Sequence, residues 1–227
     1  MQLKNNLIYA VQKLLYIFNH VFSVGIDEDK IYREHIKDGA NILDVGSNVG
    51  SYINKISSIG KDLNLNIHAF EINKDLCELN PRILKSNKHN LKLNNVAISS
   101  KSGNEMVYIN SISSQSSLKK AGPKLGKIIT ETKIDSITLD LYCSKNEIQF
   151  IDLLKIDVEG MEIDALKSAK QLLSEKKIKI LKIEILTINF YEAFDYLNNY
   201  DYLYLGMNNQ TYLNNKLDFG DYFFMKK

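Results

Sequence analysis

The feature that most constrains the fold of this chain is an alternation of short apolar runs with stretches of helical periodicity, which begins at residue 41. The apolar runs predict five strands, at 41–45, 66–70, 91–99, 151–157 and 177–186. Helices are predicted at 48–60 and 160–176. Because strands joined through helices make right-handed crossovers, the chain is predicted to be α/β, with a doubly wound, mostly parallel sheet.

Two later segments complete the predicted domain, which spans residues 41–227. Apolar runs at 200–206 and 221–227 are close enough along the chain to form an antiparallel hairpin at the sheet edge. Between residues 100 and 150, two alternating stretches flank a polar loop. An insertion of this length is predicted to shape the ligand cleft.

The segment before the domain, residues 1–40, is predicted to contain one amphipathic helix and then a turn-rich boundary near residues 25–40. Apolar residues recur at helical spacing, at Leu7, Val11, Leu14, Leu15, Phe18 and Phe22. Polar residues interrupt the run and no small-residue cleavage site follows, so the pattern favours a helix packed on the domain over a signal peptide. A helix that contacts a partner or a membrane surface is the alternative.

The composition argues against a protein that binds polyanions. The chain has 29 basic and 27 acidic residues, and its arginines are Arg33 and Arg82. Because arginine is the preferred side chain for phosphate and guanine, nucleic acid is not an expected partner. No apolar stretch is long enough to predict a transmembrane segment. Cys77 and Cys143 show no paired spacing, which predicts reduced thiols and a cytoplasmic location.

The strongest candidate for a ligand site is the loop LDVGSNVGSY, residues 43–52, between the first predicted strand and its helix. Gly46 allows a sharp turn, Gly50 allows a close approach of the backbone to a ligand, and the helix N-terminus favours an anionic group. A dinucleotide site would show GxGxxG, whereas DxGxNxG is the form seen in S-adenosylmethionine-dependent methyltransferases. An ordinary glycine turn is the structural alternative.

Acidic residues follow two other predicted strands. Glu71 lies about 20 residues beyond the glycine loop, at what is expected to be an exposed strand tip, where a carboxylate accepts hydrogen bonds from a ribose diol. Its position predicts a ligand that contains a nucleoside and does not distinguish NAD from S-adenosylmethionine. Asp157 ends the fourth predicted strand and Glu159 follows it, and carboxylates at this end of a central parallel strand point into the ligand crevice. Glu159 could instead stabilise the N-terminus of the next helix.

Together these stretches resemble the FkbM family of S-adenosylmethionine-dependent methyltransferases. The resemblance covers about residues 40–186 and is most specific in LLKIDVEGMEIDALKSA, which closely matches the hallmark of the family. Supporting motifs are NILDVGSNVGSY, AFE at 69–71, NNVAIS at 94–99, SSL at 116–118 and ITLD at 137–140. The chain departs from the family at Asn73, where members commonly have proline, and in its N-terminal helix.

The resemblance implies a Rossmann-like class I methyltransferase fold and S-adenosyl-L-methionine as cofactor. The cofactor-binding residues that it implies are Asp44, Gly46, Ser47, Asn48, Gly50, Glu71, Ile72, Asn95, Val96, Ala97 and Asp157. The glycine loop would hold the methionine end, Glu71 the ribose, and the residues around Val96 the adenine. Asp157 would lie near the transferring methyl group, and Ser116 and Ser117 in a loop over the cleft.

The predicted activity is O-methylation of a hydroxyl on a sugar, glycan or small metabolite. An alcohol is poorly acidic, so a base must remove its proton, and Asp157 or Glu159 is the predicted catalytic residue. A divalent metal held by Asp157, Glu159 and Glu184 could lower the pKa of the alcohol but is not favoured. His68 is predicted to be packed in the second strand. A nicotinamide-dependent oxidoreductase and a catalytically silent nucleoside-binding or interaction module are the alternatives.

Overall fold

A central seven-stranded sheet carries the fold, in a computed structural model that describes residues 25–77, 88–110, 128–213 and 216–227 together with residues 10, 11, 13–15 and 17. The described residues form β1 (Asn41–Val45), β2 (Asn66–Phe70), β3 (Asn90–Asn94), β4 (Ala97–Ile98), β5 (Gly103–Asn110), β6 (Ile128–Ile137), β7 (Ile151–Ile156), β8 (Ile178–Leu186), β9 (Tyr202–Leu213) and β10 (Lys216–Lys226). The central sheet has the order β3-β2-β1-β7-β8-β10-β9, and β4, β6 and β5 form a separate three-stranded sheet.

The strands of the central sheet are parallel from β3 to β8, and β10 and β9 add an antiparallel hairpin at the edge. The predicted α/β class, the mostly parallel sheet and the C-terminal edge hairpin are therefore confirmed. The chain passes from β1 to β2 on one side and from β7 to β8 on the other, so the strand order reverses between β1 and β7. Open α/β sheets bind ligands at such a switch point.

Helices cover both faces of the central sheet. One face carries α1 (Glu28–His35) and α2 (Ser51–Ile59), and the other carries α3 (Leu139–Lys145), α4 (Glu162–Lys167), α5 (Lys170–Ser174) and α6 (Phe190–Asn198). Neighbouring residues of β1 enter opposite cores, since Ile42 packs with α1 and α2 whereas Leu43 packs with the other four helices. Burial on both faces explains why apolar residues stand at consecutive positions in the parallel strands, as at Ile42–Leu43 and Leu153–Leu154.

Several predicted boundaries agree with the structure. β1 and β2 match the predicted strands 41–45 and 66–70 residue for residue. The predicted strand 91–99 is wrong as one element, because β3 ends at Asn94 and β4 belongs to the smaller sheet. Asn95 lies at this break, where its side chain donates to the backbone carbonyl of Glu71 at 2.8 Å.

The predicted helix 160–176 is divided into α4 and α5. Ser168 lies at the division, and its hydroxyl donates to the carbonyl of Ala165 at 2.6 Å and accepts the N–H of Leu139 at 3.2 Å. A side chain that bonds to the backbone in this way competes with the helical hydrogen bonds. The predicted turn-rich boundary near residues 25–40 also contains an unpredicted helix, α1, whose N-cap Asp27 accepts the N–H of Lys30 at 2.9 Å.

Two predicted features lie largely outside the described residues. The polar loop of the insertion, with Ser116 and Ser117, is among them, so the cleft-shaping role of residues 100–150 stays a prediction. In the N-terminal segment the described residues are helical, and Val11 and Leu14 are exposed. Its packing on the domain also stays a prediction. Within the residues that the structure covers, no helix is both long and apolar enough to span a membrane.

Candidate functional site

The register of the sheet brings the ends of several strands together at one edge. Val45 pairs with Phe70 on one side and with Ile156 on the other. Ile156 pairs in turn with Ile183, so the ends of β1, β2 and β7 lie level with this residue of β8. The residues that follow these four positions are Gly46, Glu71, Asp157 and Glu184, and all of them line a cavity at this edge.

This first cavity has a volume of about 300 Å³ and lies beside the switch point. Its apolar wall consists of Val45, Phe70, Ile72, Val96, Ala97, Ile98, Val158 and Met161. Its other lining residues are Gly46, Asn48, Glu71, Asp157, Glu159 and Glu184. An apolar wall that faces a small number of converging polar groups is typical of small-molecule sites.

The glycine loop after β1 is held to its neighbours through its backbone. The N–H groups of Gly46 and Ser47 both donate to the carbonyl of Phe70, at 2.9 and 3.0 Å. Gly46 has a left-handed φ of 81°, which confirms the predicted sharp turn. A Cβ at Gly46 would overlap the carbonyl oxygen of Asp157 and lie 2.9 Å from its carbonyl carbon. Glycine is therefore needed here for contact between two loops of the protein.

Replacing Gly46 with alanine should destabilise the fold by about 2–5 kcal/mol, the sum of a left-handed conformation and an overpacked backbone contact. Gly39→Ala is the matched control, because Gly39 has a φ of 76° and nothing lies within 4 Å of its Cβ position. It should lose only about 1–2 kcal/mol, the conformational cost alone. Urea unfolding of both variants makes the comparison, and equal losses would show that the contact with Asp157 is unimportant.

Glu71 braces the glycine loop, a role that the sequence did not indicate. It is buried, with 6 % of its surface exposed, so the expectation of an exposed strand tip is wrong. Its carboxylate accepts the N–H of Asn48 at 2.8 Å and the N–H of Asn73 at 2.7 Å. Burial raises the pKa of Glu71, although these two hydrogen bonds oppose the shift. Glu71 nevertheless lines the first cavity, and its predicted contact with a ribose stays a prediction.

Asp44 and Asp157 share one buried lysine. Nζ of Lys155 lies 3.1 Å from the carboxylate of Asp44 and 3.2 Å from that of Asp157, and it donates to the carbonyl of Gly46 at 2.7 Å. Burial alone would lower the pKa of Lys155, but the two carboxylates outweigh it and raise the pKa. Asp44 is completely buried and lies outside the cavity linings, whereas the side chain of Asp157 is 30 % exposed.

Glu184, on β8, is hydrogen-bonded to Asp157. Burial raises the pKa of Glu184 to about 9, and the charges of Asp157 and Asp221 add to the shift. The raised pKa favours the neutral form of Glu184, which donates to Asp157. The sequence analysis placed Glu184 near Asp157 only as a metal ligand and did not predict the hydrogen bond between the two carboxyl groups.

A second cavity, of about 340 Å³, adjoins the first and shares Gly46, Asn48, Asp157 and Glu184 with it. Its other lining residues are Glu28, Ser47, Val49, Ser51, Tyr52, Lys55, Lys155, Lys182, Asn209 and Asp221. These residues come from α1, α2, β7, β8, the glycine loop and the hairpin. The sequence analysis missed this cavity, since no local motif links its residues.

Two acidic residues after β7, Glu159 and Glu162, have different environments. Glu159 has a left-handed φ of 49° and lines the first cavity. Glu162 is the buried acid in the first turn of α4, where it accepts the N–H of Gly160 at 2.7 Å. The alternative in which Glu159 supports the helix N-terminus is therefore not favoured, because Glu162 holds that position.

The first cavity gathers most of the predicted cofactor residues, namely Gly46, Asn48, Glu71, Ile72, Val96, Ala97 and Asp157. Ser47 lines the second cavity instead. Asp44, Gly50 and Asn95 lie outside both linings in the described chain. Gly50 is the left-handed N-cap of α2, and Asn95 links the loops after β2 and β3. The contacts of all these residues with a cofactor stay predictions.

The remaining candidates take structural roles. Nδ1 of His68 lies 2.8 Å from the hydroxyl of Tyr142, and burial lowers the pKa of His68 to about 4, so the prediction of a packed histidine is confirmed. Cys77 and Cys143 are free thiols. In the residues that the structure describes, no group of three or more histidine, cysteine or acidic side chains could hold a metal ion.

Comparison with known proteins identifies the family of this chain. The sequence matches the family described as Methyltransferase FkbM domain over residues 44–204. The crystal structure of methyltransferase FkbM from Methylobacillus flagellatus is similar, with a TM-score of 0.60 and 14 % identity over 97 % of this chain and 59 % of that one. A protein described as a candidate rRNA methylase from Clostridium thermocellum has a TM-score of 0.52 and 7 % identity, over 87 % of this chain and 92 % of that one. No curated protein matches the chain.

The fold is an open α/β fold with the first cavity beside its switch point. Since the family match covers most of the central sheet, the chain belongs to the methyltransferase FkbM domain family. The chain spans 59 % of the length of the Methylobacillus protein. At such low identities, the two solved structures show a shared fold.

Proposed function

We propose that this chain is an S-adenosylmethionine-dependent O-methyltransferase and that its acceptor is a hydroxyl group of a sugar, glycan or other small metabolite. The observation that carries the proposal is the first cavity, in which an apolar wall faces the carboxyl groups of Glu71, Asp157 and Glu184. Membership of the FkbM domain family supports methyl transfer as the reaction.

The residues around the first cavity fit this cofactor. Val96, Ala97 and Ile98 form an apolar surface suited to a purine ring. Glu71 offers a carboxylate beside them. The glycine loop also lines this cavity, through Gly46 and Asn48, and would hold the methionine moiety.

Asp157 is placed to act as the general base. S-adenosylmethionine, when bound, supplies a methyl group that its positive sulfur already activates. The chain must align the acceptor hydroxyl and remove its proton. Asp157 lines both cavities and is held by Lys155 at 3.2 Å. It would take the hydroxyl proton while the acceptor oxygen displaces S-adenosylhomocysteine from the methyl carbon, and the proton would then pass to solvent.

Calorimetric titration with S-adenosylhomocysteine tests the cofactor assignment. The wild-type chain should bind it and should not bind NAD. Glu71→Gln should weaken binding about tenfold to a hundredfold, since a hydrogen bond to a charged group contributes about 1.5–3 kcal/mol. Glu71→Gln should also lose some stability, because the carboxylate of Glu71 accepts two backbone N–H groups.

Glu162→Gln is the matched control for this titration. Glu162 is also a buried carboxylate that accepts a backbone N–H, but it lies outside both cavity linings. It should lose stability while keeping its affinity for S-adenosylhomocysteine. Binding of NAD by the wild-type chain, with no binding of S-adenosylhomocysteine, would favour the oxidoreductase alternative. Unchanged affinity in Glu71→Gln would remove Glu71 from the ribose role.

A further inference from the structure

The second cavity has a different chemistry from the first. Apart from Val49 and the ring of Tyr52, its lining consists of glycine and of polar or charged residues. The first cavity, in contrast, has an apolar wall of eight residues. A purine and a thioether chain suit the first cavity, whereas the second suits a ligand that can hydrogen-bond over most of its surface.

The charged side chains that line the second cavity are held in ion pairs, and the buried Asp44 beside it shares Lys155 with Asp157. The charged residues of the cavity, apart from Glu184, are three lysines and three carboxylates: Lys55, Lys155, Lys182, Glu28, Asp157 and Asp221. Each carboxylate is paired, since Glu28 lies 2.7 Å from Lys55, Asp157 lies 3.2 Å from Lys155 and Asp221 lies 2.8 Å from Lys182. The raised pKa of Glu184 favours its neutral form. A charged ligand would have to compete with these ion pairs for a counterion, so the pairing favours a neutral ligand.

The C-terminal hairpin contributes two polar residues to this cavity. A register shift between β9 and β10 separates the pair Phe219–Thr211 from the pair Asp221–Asn208, which leaves an extra residue in β9. Asn209 lies in this bulge with a left-handed φ of 50°. Its side-chain amide donates to Oδ2 of Asp221 at 2.6 Å. Bulges commonly re-aim a side chain next to a functional site.

We propose that the second cavity is the acceptor site, and that Asn209 and Asp221 recognise a neutral, polyhydroxylated acceptor there. The proposal rests on the proposed function, because Asp157, which lines both cavities, then lies beside the acceptor hydroxyl where the two cavities meet. Asn209 is exposed, and among the described residues Asp221 is the one hydrogen-bond partner of its side chain. An amide has further donor and acceptor capacity, which a sugar hydroxyl can use.

Lys182 is a positioning residue in this arrangement. It contacts Oδ2 of Asp221, the same oxygen that accepts from Asn209, and it also contacts Glu28 at 3.2 Å. Both described contacts of Asp221 therefore use one oxygen, and Oδ1 is left to accept a hydroxyl of the acceptor. The hairpin thereby determines which acceptor is bound, while the glycine loop and Glu71 hold the cofactor.

Asn209→Gly tests the acceptor site, because glycine keeps the left-handed backbone and removes only the amide. Methyl transfer from labelled S-adenosylmethionine is measured with methyl glycosides of neutral hexoses, deoxyhexoses, hexuronic acids and hexosamines. The neutral glycosides should be preferred. In the variant, kcat/KM for the best acceptor should fall about tenfold, mainly through KM, as expected for the loss of one or two hydrogen bonds.

Glu147→Gly is the matched control, since Glu147 is an exposed residue with a left-handed φ of 56° in the turn after α3, before β7 begins. Asp221→Asn is a second variant and should lose at least as much as Asn209→Gly. The affinity for S-adenosylhomocysteine should stay within about twofold in all three, because the ribose and methionine contacts lie on other loops. Titration of the best acceptor into the S-adenosylhomocysteine complex should show the same weakening in Asn209→Gly as the KM does.

Three results would overturn the assignment while leaving the proposed function intact. They are an unchanged acceptor KM in Asn209→Gly, a preference for charged over neutral glycosides, and transfer to none of the neutral glycosides by a chain that binds S-adenosylhomocysteine. A wild-type chain that does not bind S-adenosylhomocysteine would reject the proposed function, and the acceptor site with it.

Discussion

Replacing Asp157 with asparagine should lower turnover by about a hundredfold or more, which is the scale for loss of a general base. Asparagine is nearly isosteric, so it keeps the shape of the site but cannot take the hydroxyl proton. The affinity for S-adenosylhomocysteine should change by less than about threefold, because no new cavity or clash is created. Initial rates with labelled S-adenosylmethionine and calorimetry measure the two effects separately.

Glu159→Gln provides the comparison for this variant. Both carboxylates line the first cavity, but Asp157 also lines the second cavity, where the acceptor is proposed to bind. Glu159→Gln should therefore lose less turnover than Asp157→Asn. It should also keep its stability, since Glu162 supports the N-terminus of α4. An inactive Glu159→Gln beside a fully active Asp157→Asn would reverse the assignment, and full activity in both would exclude either carboxylate as the base.

The parts of the site that the sequence predicted are those determined by local backbone pattern. Strands β1 and β2 have compact apolar cores, so their ends, and with them Gly46 and Glu71, could be located within one residue. Asp157 follows directly after β7 for the same reason. Parallel strands that end level bring such residues to one crevice, so a linear pattern was sufficient to predict where most of the cofactor residues would meet.

The environment of each side chain could not be predicted in this way. Glu71 was expected to be exposed because acidic residues after strands usually are. In the fold it is covered by the glycine loop, whose Asn48 N–H it accepts at 2.8 Å. Burial of this kind depends on how two loops approach each other, and periodicity carries no information about that approach.

The second cavity could not be predicted for a similar reason, because its residues are distant in the sequence. Lys182 contacts Glu28 of α1 and Asp221 of β10, so its partners lie on opposite sides of it in the sequence. Lys182 also lies in the middle of β8, and a charged residue in a strand predicts an exposed position, whereas Lys182 is buried. The bulge that presents Asn209 depends on the pairing of β9 with β10, and the sequence predicted the hairpin but not its register.

Lys155→Met should destabilise the fold by about 3–5 kcal/mol, the cost of leaving one member of a buried ion pair without its counterion. Asp44 is completely buried and 3.1 Å from Nζ of Lys155, so its carboxylate would lose its counterion. The carbonyl of Gly46 would lose a hydrogen bond of 2.7 Å as well. Urea unfolding measures the loss. Lys167→Met is the control, because Lys167 pairs with Glu192 at 2.9 Å on the surface and should cost less than about 1 kcal/mol.

The double variant Asp44→Asn/Lys155→Met identifies the cause of the loss. If the unpaired charge of Asp44 is responsible, neutralising it should recover about 0.5–3 kcal/mol, which is the usual range of coupling between residues in contact. If the loss comes from packing around the lysine stem, the second substitution should recover nothing. A single Lys155→Met variant as stable as Lys167→Met would contradict the ion pair itself. In that case Asp157 would also lack its positioning partner, and the orientation of the proposed base would have to come from its hydrogen bond with Glu184.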